Sequence, residues 1–169
     1  VNDIADGTSV ALRQPEWLAG DAVIKVNGKE QDVTAENGFF VLEGLKAGDE
    51  ISYTMPMQVE IESTADNENF VAFKYGPVVL AAELGDKDID ASQGNGILVR
   101  VGTEDTSAKD TITVQNMSVE EWKANIVENF VRIEDSEDGR IQFQLKNTDS
   151  EELVYSPYYM QHEQRYGIY

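Results

Sequence analysis

The sequence contains no cysteine, which removes disulfide staples, thiolate nucleophiles and cysteine-based metal sites. Histidine occurs once, at His162. With no HExxH spacing around it, a zinc cluster would need several carboxylates gathered by the fold. Basic residues are scarce, 13 against 32 acidic ones, for a formal charge of −19. That field repels phosphate, so nucleic acid and anionic membrane surfaces are excluded as partners. Long apolar runs are missing as well. The most hydrophobic stretch, Asn69–Gly85, is interrupted by Lys74, Gly76 and Pro77 and closed by Glu83. A spanning helix needs roughly 20 apolar residues in a row, so we expect no membrane insertion. No phosphate-binding loop, nucleophile elbow, internal repeat or low-complexity tract occurs.

What remains is a chain of 169 residues, 41% hydrophobic. A chain of this size buries on the order of 70% of its extended surface. No secretory signal stands at Val1, and the absence of an initial methionine points to a processed or excised piece.

Period-two alternation dominates. Val23–Val26 runs into Asn27–Gly28, a pair that tolerates positive φ and signals a tight hairpin. Gly38–Leu42, Ile51–Met55 and Gln58–Glu62 read as further strands, with Pro56 interrupting the ladder between the last two. Phe70–Lys74 and Val78–Ala82 form two strands around the Tyr75-Gly76-Pro77 kink. Val71–Ala82 is expected as the buried centre of the first portion. Ile97, Val99 and Val101 alternate, as do Ile112 and Val114. Val131 and Ile133 face Ile141, Phe143 and Leu145 across the acidic turn Ser136–Gly139. Ser118, with Glu121 three residues on, caps one short helix over Val119–Val127, and Trp122 faces inward. The fold class is therefore all-β: a β-sandwich, as two small packed β-rich portions with one short helix. The composition shift at Gly85–Gly96 places a boundary between a domain at 1–85 and a second at 86–169, whose last strand can return to the first.

Candidate chemistry is sparse. Glu60 and Glu62 share a strand face, but alternation with Val59 and Ile61 turns them to solvent. The acidic run 134–139 offers oxygens to calcium, yet Leu145 stands where an EF-hand needs its bidentate glutamate. We therefore expect no metal and no cofactor. The aromatic end is richer. Tyr158 and Tyr159, with His162 and Arg165 following, could stack on and hydrogen-bond a sugar; Trp17 and Trp122 could add platforms. A last strand and domain interface is the weightier reading of the same residues.

Several segments, in order, resemble one family: Leu12-Arg13-Gln14-Pro15-Glu16-Trp17, Val26-Asn27-Gly28-Lys29, Gly48-Asp49-Glu50-Ile51, Pro56-Met57, and Val71 through Leu80 with its Tyr75-Gly76-Pro77 centre. They are similar to the β-sandwich region following the catalytic barrel in glycoside hydrolase family 127, the β-L-arabinofuranosidase-like proteins. The ending, Pro157 to Tyr169, resembles the C-terminus of related members. The resemblance implies an accessory fragment without the N-terminal catalytic (α/α)6 barrel, its partner in cis. The family's cysteine nucleophile, zinc ligands and acid/base glutamate belong to that barrel, and none can be placed here. It further implies a parent acting on plant polysaccharide or oligosaccharide, in the periplasm or outside the cell.

Overall fold

The computed structural model describes residues 1–5, 7–86, 111–134, 136, 139–162 and 164–168. Asn27 and Gly28 take positive φ values of 52° and 77°. They turn the chain tightly between β2 (Val23–Val26) and β3 (Lys29–Glu30), as a two-residue hairpin loop requires. The Asn27 side chain then ties this turn to another. Its Nδ2 donates to Asp49 Oδ1 at 2.8 Å, and its Oδ1 accepts from the Glu50 amide at 2.9 Å. The bond from Asn27 Nδ2, with a further one from the Lys46 amide, holds the Asp49 carboxyl below its ordinary range.

The described chain divides into two compact units, Val1–Gln58 and Val59–Tyr169. In the first, β5 (Ile51–Thr54) pairs antiparallel with β2, while β1 (Val10–Arg13) pairs with β4 (Phe39–Leu42). Ile24 from one sheet meets Phe40 and Leu42 from the other, all buried. Phe40 lies edge-on to Tyr53 with ring centroids 6.1 Å apart. Two small sheets thus enclose a small core. Strict alternation along β4 leaves Phe39 and Val41 outside it.

The second unit is built on one seven-stranded sheet. Its strands are β6 (Val59–Ser63), β7 (Val71–Tyr75), β8 (Val78–Glu83), β9 (Phe130–Arg132), β10 (Phe143–Leu145), β11 (Val154–Pro157) and β12 (Tyr166–Gly167). The order is β6-β7-β8-β11-β10-β9. Strand β8 is the hub: β7 covers Val78–Leu80 on one edge, β11 covers Leu80–Ala82, and β12 pairs with Ala82 and Glu83. Gly76, at φ 56°, makes the tight β7–β8 turn. Two helices, α1 (Val119–Ala124) and α2 (Ile126–Asn129), cover the sheet's inner face. Helix α2 packs against both β6 and β9, the two ends of the strand order, so the sheet curls around its core.

Aromatic rings fill that core. Phe130 stacks on Phe73 at 4.7 Å and on Phe143 at 5.3 Å, and meets Tyr155 edge-on at 5.0 Å. Trp122 leans edge-on against Phe73, and its indole N–H donates to the Lys146 carbonyl at 2.8 Å. The buried amide of Asn129 binds the Trp122 carbonyl and accepts from Asn147. Burial pushes the Tyr155 phenol up to about 12.

The all-β reading holds, with corrections. Ser118 does cap the helix, its Oγ accepting from the Glu121 amide at 3.1 Å. The expected single helix is, however, two, separated at Asn125 with φ −109° and ψ 34°. Asn125 Nδ2 bonds back to the Glu121 carbonyl, the kind of local competition that ends a helix early. Val71–Ala82 is core, but of the second unit. The chain divides after Gln58 and not after residue 85, because β8 hydrogen-bonds to β11 from beyond the expected boundary. Of the pair Ile112 and Val114, expected as a strand, Val114 makes an isolated bridge to Thr148 among the described residues. Strands β1 and β11 carry too little alternation to announce themselves. The expected strand at Ile97–Val101 and most of the Gly85–Gly96 loop lie outside the described residues, as do Asp135, Glu137 and Asp138 of the acidic turn.

Leu80, fully buried at the hub of the sheet, tests this packing. Leu80→Ala should destabilise by about 2–5 kcal/mol in urea unfolding. Trp122 fluorescence in a Trp17→Phe background would report the second unit. Val127→Ala, at a position 58% exposed, should stay within about 0.5 kcal/mol of the parent. A Leu80→Ala cost under about 1 kcal/mol would contradict the packing.

Candidate functional site

Strand β11 ends in Ser156-Pro157, and the proline hands the chain to a 3-10 turn, Tyr158–Met160. Pro157 is buried at the sheet centre, whereas Tyr158 and Tyr159 project outward, 45% and 64% exposed. The chain then returns: the Arg165 amide donates to the Gly85 carbonyl at 2.9 Å, and the Leu84 amide donates to the Arg165 carbonyl at 3.0 Å. This return places Tyr166, on β12, beside Tyr158 with centroids 5.3 Å apart and planes tilted by 69°. A hydrogen bond with Tyr158 raises the Tyr166 phenol above its ordinary range. The tilt means that these two rings do not form one flat stacking platform.

Beneath the tyrosines runs a polar chain that the sequence did not advertise. Ser156 Oγ donates to Glu83 Oε1 at 2.6 Å, and Gln142 Nε2 reaches the same oxygen at 3.5 Å. Gln161 Nε2 donates to Ser156 Oγ at 2.6 Å, and Gln164 Nε2 donates to Gln161 Oε1 at 2.7 Å. Ser156 is wholly buried, so no substrate reaches its hydroxyl. The Glu83–Ser156 contact fastens the 3-10 turn to β8 and is not an activated nucleophile. The spacing Ser156–Gln161–Gln164 is too common in sequences to have signalled the network.

The other expected ligand residues disperse. Trp122 is buried in the core of the second unit, 4% exposed and bonded to Lys146, so its faces serve packing and its platform role is withdrawn. Trp17 sits half-buried in the first unit, in the turn closed by the Leu18 amide and the Pro15 carbonyl. His162 is exposed just after the 3-10 turn, and Arg165 is half-buried beside β8. Glu60 and Glu62 take the outward face of β6, where Glu62 pairs with Lys74 at 2.7 Å. That is a solvated ion pair across the strands, not an acid and base flanking a cleft. Among the described residues no group of three or more His, Cys, Asp or Glu could hold a metal ion. No described helix is long and apolar enough to cross a membrane.

Ser156→Ala should strand Glu83 and Gln161 without their shared partner and cost about 1–3 kcal/mol in chemical denaturation. A change within about 0.5 kcal/mol, typical of a neutral surface site, would show that the polar chain holds nothing in place.

Comparison with known proteins places this architecture. Residues 60–169 match a domain of unknown function, DUF4986, and residues 2–57 match the middle domain of the GH127 β-L-arabinofuranosidases. No curated protein gives a significant match. Among solved structures, one titled a glycoside hydrolase superposes with a TM-score of 0.55 at 20% identity, covering 97% of this chain and 27% of its own. A GH127 β-L-arabinofuranosidase from Geobacillus stearothermophilus T6 gives 0.52 at 17% identity, over 95% of this chain and 26% of that one. A GH127 β-arabinofuranosidase gives 0.54 at 15% identity, over 98% and 28%. The chain thus spans about a quarter of the length of the solved structures it resembles. By these matches the chain belongs to the DUF4986 family, joined at its N-terminal side to the middle domain of glycoside hydrolase family 127.

Proposed function

We propose that the chain is a non-catalytic accessory region of a glycoside hydrolase of the arabinofuranosidase type. In this reading it packs on and orients a catalytic (α/α)6 barrel in cis, in a parent that acts on plant-type glycans. One observation carries the reading: nearly the whole chain, 97%, finds its fold inside 27% of a glycoside hydrolase. A region of that proportion leaves the larger part of such a protein to hold the chemistry. The polar groups of the C-terminal cluster support it too. Ser156, Glu83, Gln161 and Gln164 spend their hydrogen bonds on one another, as a scaffold does.

The exposure of Tyr158, Tyr159 and Tyr166 favours a second reading, a carbohydrate-binding module using the C-terminal aromatics. Three outward tyrosines in one segment supply the apolar faces and hydroxyls that sugars accept. The tilt between Tyr158 and Tyr166 weighs against a flat platform, and we rank this reading second.

The isolated chain should show no turnover of aryl arabinofuranosides or arabino-oligosaccharides. Hydrolysis that survives extensive purification and scales with protein would overturn the accessory reading. Titration with arabinans and pectic oligosaccharides should show no saturable binding. Saturable binding abolished by Tyr158→Ala with Tyr159→Ala, the fold retained, would establish the binding module instead.

A further inference from the structure

The β1–β4 ribbon of the first unit has one face in the core and one in solvent. Phe40 and Leu42 point inward, 7% and 4% exposed, while Phe39 and Val41 point outward at 43% and 42%. Register places Arg13 opposite Phe39 and Ala11 opposite Val41. The outer face therefore carries two large apolar side chains on the ribbon, with the exposed Arg13 beside Phe39 and the carboxylates toward Val41 and the neighbouring loops. Beside them opens a concavity of about 670 Å³, whose wall includes Phe39, Val41, Asp32, Glu36, Glu43 and Asp49 and no basic residue.

The carboxylates in that wall are not equivalent. Asp49 is committed to its own turn, bonded by Asn27 and the Lys46 amide. Asp32, Glu36 and Glu43 are exposed, and among the described residues their carboxylates have no hydrogen bond or ion pair. They are not gathered into a metal-holding group either. Dispersed, uncompensated carboxylates around an apolar strip match dispersed cationic side chains around an apolar one.

We propose that this face docks a neighbouring domain of the parent hydrolase, one that sets apolar side chains on Phe39 and Val41 and lysine or arginine near Asp32, Glu36 and Glu43. The proposal rests on the accessory reading and assigns its surface. Charge decides among the occupants. A second copy would bring another −19 against the same carboxylates. A neutral glycan gains from stacking on Phe39 but has no need of three unpaired carboxylates. A domain in cis accounts for both halves of the surface, and the solved relatives are nearly four times as long as the region they share with this chain. Desolvating Phe39 and Val41 supplies non-directional attraction, and the charge ring fixes orientation.

The chain has no cysteine of its own, so Val41→Cys introduces a traceable thiol. Its maleimide labelling would be followed by peptide mass spectrometry in the 169-residue chain and in the full-length gene product, each normalised to its rate in denaturant. Ala11→Cys, on the same face, repeats the reading should Val41→Cys fail to fold. We expect labelling at least about tenfold slower in the full-length protein. Adding Glu36→Lys and Glu43→Lys should restore the faster rate. Equal rates in the two forms would overturn the surface assignment. In that case, amide-exchange protection elsewhere in the chain would leave the accessory reading standing, and none anywhere would remove it too. Protection in the isolated chain that grows with its own concentration, or that follows added arabino-oligosaccharide, would overturn the proposal in favour of a second copy or a glycan.

Discussion

Phe130 organises the second unit. It is 1% exposed and touches Phe73, Phe143 and Tyr155 through ring faces and edges. Those partners come from β7, β10 and β11, while Phe130 itself stands where α2 passes into β9. Aromatic pairs of this kind contribute about 0.5–1.5 kcal/mol each beyond the area they bury. More important is their separation in sequence. The stack joins the hairpin before residue 86 to the strands after residue 128, so neither half can complete its core alone.

The surface inherits its order from that stack. Tyr155 points into it, so Ser156, next along the strand, faces the other way and meets Glu83. Pro157 then ends the pairing with Leu80, and the following tyrosines are delivered to solvent. The exposed aromatics at the C-terminus are thus a consequence of strand register. Their positions are fixed from behind by the Glu83–Ser156–Gln161–Gln164 chain. Such partly buried polar networks specify one arrangement when every member is satisfied.

How much of this could be read from the residues depended on how local the cause was. Asn27–Gly28 and Ser118 are short-range signals, and both mark their turn and cap where expected. The two strands around Tyr75-Gly76-Pro77 were equally plain, although what reads as a kink is a tight antiparallel turn. The division between units was not, because it is set by the pairing of β8 with β11 across a long sequence separation. Composition at Gly85–Gly96 carried no information about that pairing. Trp122 shows the same limit. Its inward orientation followed from helix spacing, but its full enclosure against Phe73 and Lys146 needed the sheet. Of the candidate site, the exposed tyrosines were visible as a cluster. Glu83, Ser156 and Gln142 were not, since three separate strands or their flanks bring them together.

The acidic excess of the chain finds a physical outlet in this arrangement. On β6, Glu62 pairs across the strands with Lys74, whereas Asp32, Glu36 and Glu43 near Phe39 and Val41 have no partner among the described residues. Neither set forms a reactive pair. Among the described residues, Glu83 is the carboxylate most like a catalytic one, half-buried and hydrogen-bonded near exposed aromatics, and its bonds to Ser156 and Gln142 make it structural. The most direct test of the proposed accessory role is therefore the kcat of the full-length gene product carrying Glu83→Gln, on a glycoside that the unsubstituted protein is first shown to hydrolyse. Losing a general acid or base lowers rates by about 10²–10⁴-fold. A structural Glu83 leaves kcat within about threefold in the folded protein, whereas a fall into that catalytic range with the fold intact would make Glu83 a catalytic group.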